Sequence, residues 1–265
     1  MRPYPILLAA IALAGCGGDA TTLDPVAEAA TKTSGVGSVR FQLRMSVPDP
    51  DTGELLRLSG PGVIARHGNL ISMRMHVAAS GDTDAFTMDA VMAKDAMYMR
   101  SPAFAIAMPR GKEWLKLRDT DPFGNIGQND PAQMLDYLRA AGDVEEVGTA
   151  RVQGLETTKY RATIVLDKVA QRVPEDRRHR VEAAIDQLHR LGVDSLPMTV
   201  WVDGKGLVRR ATMDWAITNP DDKTDKFRLT MTVDLFDFGT KARVTVPAAA
   251  KTMSYADFLK RNGGG

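Results

Sequence analysis

The sequence predicts an α+β fold in which one antiparallel sheet carries a dry face that a few amphipathic helices cover. Three observations predict it. Apolar and polar residues alternate through most of residues 39–100 and again through 196–235, the two-residue period of strands with one dry and one wet face. Leu196–Arg210 reads as a hairpin: Met198, Val200 and Val202 alternate with Thr199, Trp201 and Asp203, and Asp203-Gly204-Lys205-Gly206 supplies residues that tolerate positive φ in the reversing loop. Pro174–Leu191 carries Val181, Ala184, Ile185, Leu188 and Leu191 at helical spacing, a stripe suited to covering such a sheet.

The chain opens with Arg2 as its only early charge, a short apolar run from Ile6 to Leu13, and then Leu13-Ala14-Gly15-Cys16. These residues resemble a bacterial lipoprotein signal peptide with its lipobox. The apolar run is far below the roughly 20 residues that a spanning helix needs, and it ends in small residues that suit a signal peptidase. Cys16 is the only cysteine, so no disulfide can form within one molecule, and the expected modification is acylation at Cys16. The expected organisation is a signal peptide over residues 1–15, the lipidated cysteine and a short tether over 16–22, one domain over 23–260 and a flexible tail over 261–265. Such a chain sits on the extracytoplasmic face of the cell membrane, held by acyl chains rather than by a protein span.

Of the 34 basic residues, Arg2 leaves with the signal; 33 acidic residues balance the rest, so the mature chain is formally neutral. Nucleic-acid binding normally shows as a basic stripe with a strongly positive balance, and no nucleic-acid partner is expected. Arg177, Arg178 and Arg180 do cluster, but Glu175, Asp176 and Glu182 surround them, the pattern of a solvated helix face.

Asp24 and Pro25 open a first helix over Leu23–Thr33, as cap and first helical residue, and Ser34-Gly35-Val36-Gly37 closes it. Val39, Phe41, Leu43, Met45 and Val47 mark the dry face of a first strand, and the Pro, Asp and Gly of residues 48–53 turn the chain. Strands follow over Leu55–Ala65, Leu70–Ala78, a segment with Phe86, Met88, Ala90 and Met92 on one face, and Ala96–Arg100. Ser101–Gly111 then breaks the alternation, with Pro102 and Pro109 bracketing Ala103–Met108. Read as a loop, it is too apolar to sit alone in water. Phe104, Ile106 and Met108 either form a lid or membrane-facing element, or pack on the loop's own core.

Trp114–Leu117 is a short strand, and Asp130-Pro131 starts a helix through Met134, Leu135, Tyr137 and Leu138 that Gly142 ends. Val144–Val152 and Leu155–Leu166 pair around Gln153-Gly154, and the Pro174–Leu191 helix follows, closed by Gly192. Beyond the hairpin, Leu207, Ala211, Met213 and Trp215 mark one face of the returning strand, and Phe227, Leu229, Met231, Val233 and Leu235 that of the next. Asp237-Phe238-Gly239 turns into a last strand, Ala242–Val246, before a terminal helix over Tyr255–Lys260.

His67, His76, His179 and His189 form no ligand motif, so neither zinc nor any other cofactor is expected. There is no Gly-x-Ser-x-Gly elbow, Ser-x-x-Lys pair or His-Glu-x-x-His helix, and the chain is not expected to be an enzyme.

Several segments together carry a wider resemblance. The lipobox, Leu23–Arg40, Gly154-Leu155-Glu156-Thr157-Thr158-Lys159-Tyr160, Leu196–Arg210, and Asp237-Phe238-Gly239 followed by Val244-Thr245-Val246-Pro247 resemble the actinobacterial lipoprotein family of LppX and LprG over most of the mature chain. The resemblance implies a strongly curved antiparallel sheet, a half-barrel, with helices packed in its concave face, similar to the periplasmic carrier LolA. It also implies that acyl chains of a lipid or lipoglycan lie between sheet and helices. Met45, Met73, Met75, Met88, Met92, Met198, Met213 and Met231 all fall on predicted strands, and flexible thioethers adapt to irregular guests. The same pattern also suits an ordinary core.

With the resemblance, the candidates for lining a lipid cavity are Leu43, Met45, Met73, Met75, Phe86, Met88, Tyr137, Leu188, Met198, Val200, Met213, Leu229 and Met231. The expected function is that of a monomeric, lipid-anchored carrier that takes the acyl chains of an envelope lipid or glycolipid without catalysis, with an envelope transporter as a partner. Two rivals stand beside it: a lipid-sensing or regulatory envelope lipoprotein, and an envelope ester hydrolase whose triad assembles from distant residues.

Overall fold

Alternation of this kind commits much of the chain to strands, and the computed structural model, which describes residues 24–48, 55–65, 70–79, 86–93, 96–118, 137–138, 141–172, 175–190, 192–218 and 226–263, contains them. In chain order the strands are β1 (Ser38–Pro48), β2 (Leu55–Ala65), β3 (Leu70–Ala79), β4 (Phe86–Ala93), β5 (Ala96–Arg100), β6 (Trp114–Leu117), β7 (Ala141–Val152), β8 (Leu155–Val165), β9 (Ser195–Asp203), β10 (Val208–Thr218), β11 (Lys226–Phe236) and β12 (Thr252–Ser254). The helices are α1 (Pro25–Gly35), α2 (Pro102–Ala107), α3 (Leu166–Arg172), α4 (Glu175–Arg190) and α5 (Tyr255–Arg261).

Among the described residues all strands join one 12-stranded sheet in the order β12-β6-β5-β4-β3-β2-β1-β11-β10-β9-β8-β7. Its two halves meet where β11 pairs antiparallel with β1, and only β12 runs parallel to its neighbour, β6. A flat sheet of this width would spread over roughly 50 Å, and open sheets this wide curl. Here inward side chains from β6 round to β8 share one continuous core with Val26 and Ala30 of α1, Val169 of α3 and Val181 and Ile185 of α4. The result is a strongly curved, unclosed half-barrel with helices in its concave side.

The helices are placed by their own chemistry. Asp24 Oδ1 accepts from the N–H of Val26 (2.9 Å) and of Ala27 (3.2 Å), capping α1. Val26, Ala29, Ala30 and Thr33 then fall on one buried stripe. Thr33 Oγ1 accepts from Val208 N–H at 2.9 Å, fastening the end of α1 to the start of β10.

The convex face is polar and laced by cross-strand ion pairs. Asp234 on β11 accepts from Arg44 on β1 at 2.6 Å and from Arg210 on β10. Asp89 on β4 bridges Arg74 on β3 (2.7 Å) and Arg100 on β5 (2.6 Å), and Arg228 holds Asp214 at 2.6 and 2.7 Å. Burial works against the charged form of Asp89 and Asp234, but their arginines outweigh it and hold both carboxyls below the usual range.

Four sequence expectations change. Ser101–Met108 is no loop: Ser101 Oγ accepts from Ala103 N–H at 3.4 Å and caps the alanine-rich α2, with Pro102 in its first turn. Helical structure begins at Leu166 as α3, ahead of α4, in place of the end of a strand. Gly142, expected to end a helix, lies inside β7, which starts at Ala141. Ala242–Val246 forms no strand; Val244 instead packs near Val91, Ala96 and Tyr98 on the outer side of β4 and β5, and the last strand is β12. Residues 49–54 and 66–69, and the helix expected from Asp130 apart from Tyr137 and Leu138, lie outside the described residues.

Candidate functional site

Strand register brings distant methionines together. Met45 pairs with Met231, Met231 with Met213, and Met213 with Met198, a row across β1, β11, β10 and β9 on the concave face. Leu58 extends the row on β2 and Ala162 on β8. One step along the strands, Leu43, Val233, Ala211 and Val200 make a parallel row. On the other half of the sheet Met92 pairs with Ile71 and with Met97, and Met75 with Met88. Unbranched thioethers repack at little cost, so a row of them forms a wall that can change shape.

Burial along this face is graded. Val200, Val233 and Leu235 are fully enclosed, and Met198, Met213 and Met231 nearly so. Met45, Met73, Leu188 and Trp215 are only half-buried against the same core, Leu229 is half-buried, and Phe86 is 45% exposed. The apolar face is thus packed shut at the end marked by Leu235 and less covered toward the end marked by Leu229 and Phe86. Of the expected lining residues, Leu43, Met88, Tyr137, Met198, Val200, Met213 and Met231 are buried in one core, whereas Phe86 stands outside it. For Met75 only the strand position is described, and Cys16 lies outside the described residues.

The expected lid residues part company. Phe104 is half-buried and meets Phe258 of α5 edge to face, with centroids 6.3 Å apart and planes at 76°. Met108 is buried in the main core, while Ile106 is 90% exposed. The helix α2 is pinned from below by two side chains and offers a third to solvent.

Charge is kept off the concave rows. Asp234 belongs to the convex face, and Asp203 closes the β9–β10 hairpin. Burial opposes the ionised form of Asp203, but the Leu207 and Lys205 N–H groups and the Arg209 guanidinium outweigh it and hold its carboxyl below the usual range. His76 meets Thr87 Oγ1 at 3.3 Å beside the convex ion pairs, and His189 lies 3.6 Å from Asp167. Among the described residues no three His, Cys, Asp or Glu side chains gather where they could hold a metal ion, and no helix is long and apolar enough to cross a membrane.

A half-open, strongly curved sheet with helices in its concave side is the class of fold defined here, and it is the fold of a solved structure, LppX. The lipoprotein LppX from Mycobacterium tuberculosis matches 86% of this chain and 100% of its own, with a TM-score of 0.50 at 14% identity. LprF from Mycobacterium bovis matches over 84% and 94%, with a TM-score of 0.48 at 15% identity. An uncharacterised 31.2 kDa protein from the rplA–rplJ intergenic region of Streptomyces griseus is 26% identical over 181 residues, 64% of this chain and 57% of that protein. The match thus spans little more than half of that relative. No protein-family model matches the chain.

Proposed function

We propose that this chain is a lipid-anchored, extracytoplasmic carrier that takes the acyl chains of an envelope lipid or glycolipid along its concave face and passes them on without catalysis. The observation that carries the reading is the row Met45–Met231–Met213–Met198, adaptable apolar surface lying across four strands of an unclosed sheet and becoming less covered toward one end. Each methylene moved from water into such a site contributes about 0.8 kcal/mol, so one acyl chain supplies ample affinity. Loading requires α3, α4 and the neighbouring side chains to move outward, with the thioethers repacking around the guest. Acylation at Cys16 would hold the domain at the membrane surface, and Ile106 on α2 would touch that surface or the edge of the mouth.

The test is transfer. Vesicles of labelled phosphatidylglycerol, mixed with unlabelled acceptor vesicles, should exchange lipid faster when the soluble domain is added, in proportion to its concentration. Transfer that stays at the protein-free rate while the protein remains folded would refute the carrier reading. Stable binding without transfer would favour the lipid-sensing reading.

A further inference from the structure

The sheet has a split in it. The β9–β10 ladder runs from Val202–Val208 to Met198–Met213 and stops there, although both strands continue. Past that point β9 stays paired with β8 as far as Ser195, and β10 with β11 as far as Thr218. Pro197 is the first residue beyond the last pair, and a proline has no N–H to extend a ladder. Between the separated ends lies an opening of about 510 Å³, with Ser195 and Pro197 on one side and Asp214, Trp215 and Ala216 on the other.

Trp215 carries a second, independent observation. It pairs with Leu229 one step beyond Met213–Met231, at the margin of the methionine row. Its indole Nε1 is closed off from water and has no hydrogen-bond partner among the described residues, so a ligand reaches it only as the split widens. A buried donor left without an acceptor costs about 1–3 kcal/mol and calls for an explanation. Among the described residues the other charges at the opening, Lys226 and Arg228 against Asp194 and Asp214, balance, and Arg228 is already held by Asp214. A neutral ester carbonyl suits such a rim better than an anion does.

We propose that the split between β9 and β10 receives the ester end of an acylated ligand, the Trp215 indole N–H donating to an ester carbonyl while the acyl chain runs inward over Met213 and Met198. This rests on the carrier reading and adds to it a polar recognition point and a place of entry. The test compares dihexanoyl-phosphatidylcholine with its dihexyl ether analogue, which lacks both carbonyls, on the wild-type chain and on Trp215→Phe. Wild type should prefer the ester by about threefold to tenfold, the worth of one neutral hydrogen bond, and Trp215→Phe should bind both lipids as wild type binds the ether. A readout that needs no variant is the indole N–H proton resonance, one of three, which should move downfield with the ester and stay with the ether. Equal binding of ester and ether by wild type, or an ester preference that survives in Trp215→Phe, overturns the assignment of Trp215 and leaves the carrier reading standing. Binding of neither lipid overturns both.

Discussion

The ring of Phe41 lies directly across Gly62, its cross-strand partner: a Cβ at Gly62 would fall 2.1 Å from Phe41 Cζ and 2.5 Å from Cε1. Phe41 is fully enclosed, so its ring cannot swing into solvent to make room. Gly62→Ala should therefore destabilise the domain by about 1–3 kcal/mol, the usual cost of overpacking a core. Urea unfolding measures it, and the double variant Gly62→Ala with Phe41→Leu should recover part of the loss. A Gly62→Ala midpoint equal to wild type would mean that the ring does not sit there.

Besides apolar packing, a buried hydrogen bond from Val208 N–H to Thr33 Oγ1 joins α1 to the hairpin. Thr33→Val keeps the shape and removes the acceptor, leaving a buried N–H unpaired. A loss of about 1–3 kcal/mol is expected, read by thermal unfolding, while Thr31→Val, at an exposed hydroxyl of the same helix, should cost far less.

Acid should weaken the fold through the carboxylates of the convex face and the hairpin. Asp89, Asp203 and Asp234 lie below the ordinary range in the folded state, because the arginines and N–H groups around them outweigh the burial that opposes their charge. A depressed folded pKa gives stability that is fully present above the unfolded value of about 3.9 and is lost as pH falls through the folded value. Urea midpoints should be nearly flat from about pH 8 to about pH 5 on account of these groups and fall below about pH 4. Asp234→Asn should be less stable at neutral pH and show a shallower fall in acid.

The helix α2 divides into an anchor and a free side chain. Phe104→Ala removes the contact with Phe258 and should lower stability by about 1–3 kcal/mol, below the usual cost of a fully buried phenylalanine because Phe104 is only half-buried. Ile106→Ser should leave stability within about 0.5 kcal/mol. In the vesicle assay Ile106→Ser should slow transfer if Ile106 meets the membrane or the mouth; an unchanged rate would remove it from that role.

Much of the sheet was legible in the chain. The expected strands Leu55–Ala65, Ala96–Arg100 and Trp114–Leu117 match the structure in their bounds, and Asp24 with Pro25 marked the start of α1. What alternation could not supply was register: nothing in the sequence says that Met45, Met231, Met213 and Met198 lie side by side, because that depends on how far each hairpin runs. The helix α2 was hidden by the prolines that bracket it, Pro102 and Pro109, although Ser101 before Pro102 is a capping signal in its own right. Ala242–Val246 has the look of a strand but finds no partner, whereas Thr252–Ser254, too short to show a period, pairs with β6 across a long stretch of chain. The split beside Trp215 left one trace in the sequence, Pro197 inside a strand.

The most direct test of the carrier account is native mass spectrometry of the soluble domain, lacking Cys16 and purified from an actinobacterial host. The account predicts one acylated molecule bound per chain, reduced in Met213→Trp and Met231→Trp variants that remain folded. A chain that emerges empty, and stays empty after incubation with envelope lipid extract, would contradict it and make the methionine row an ordinary core.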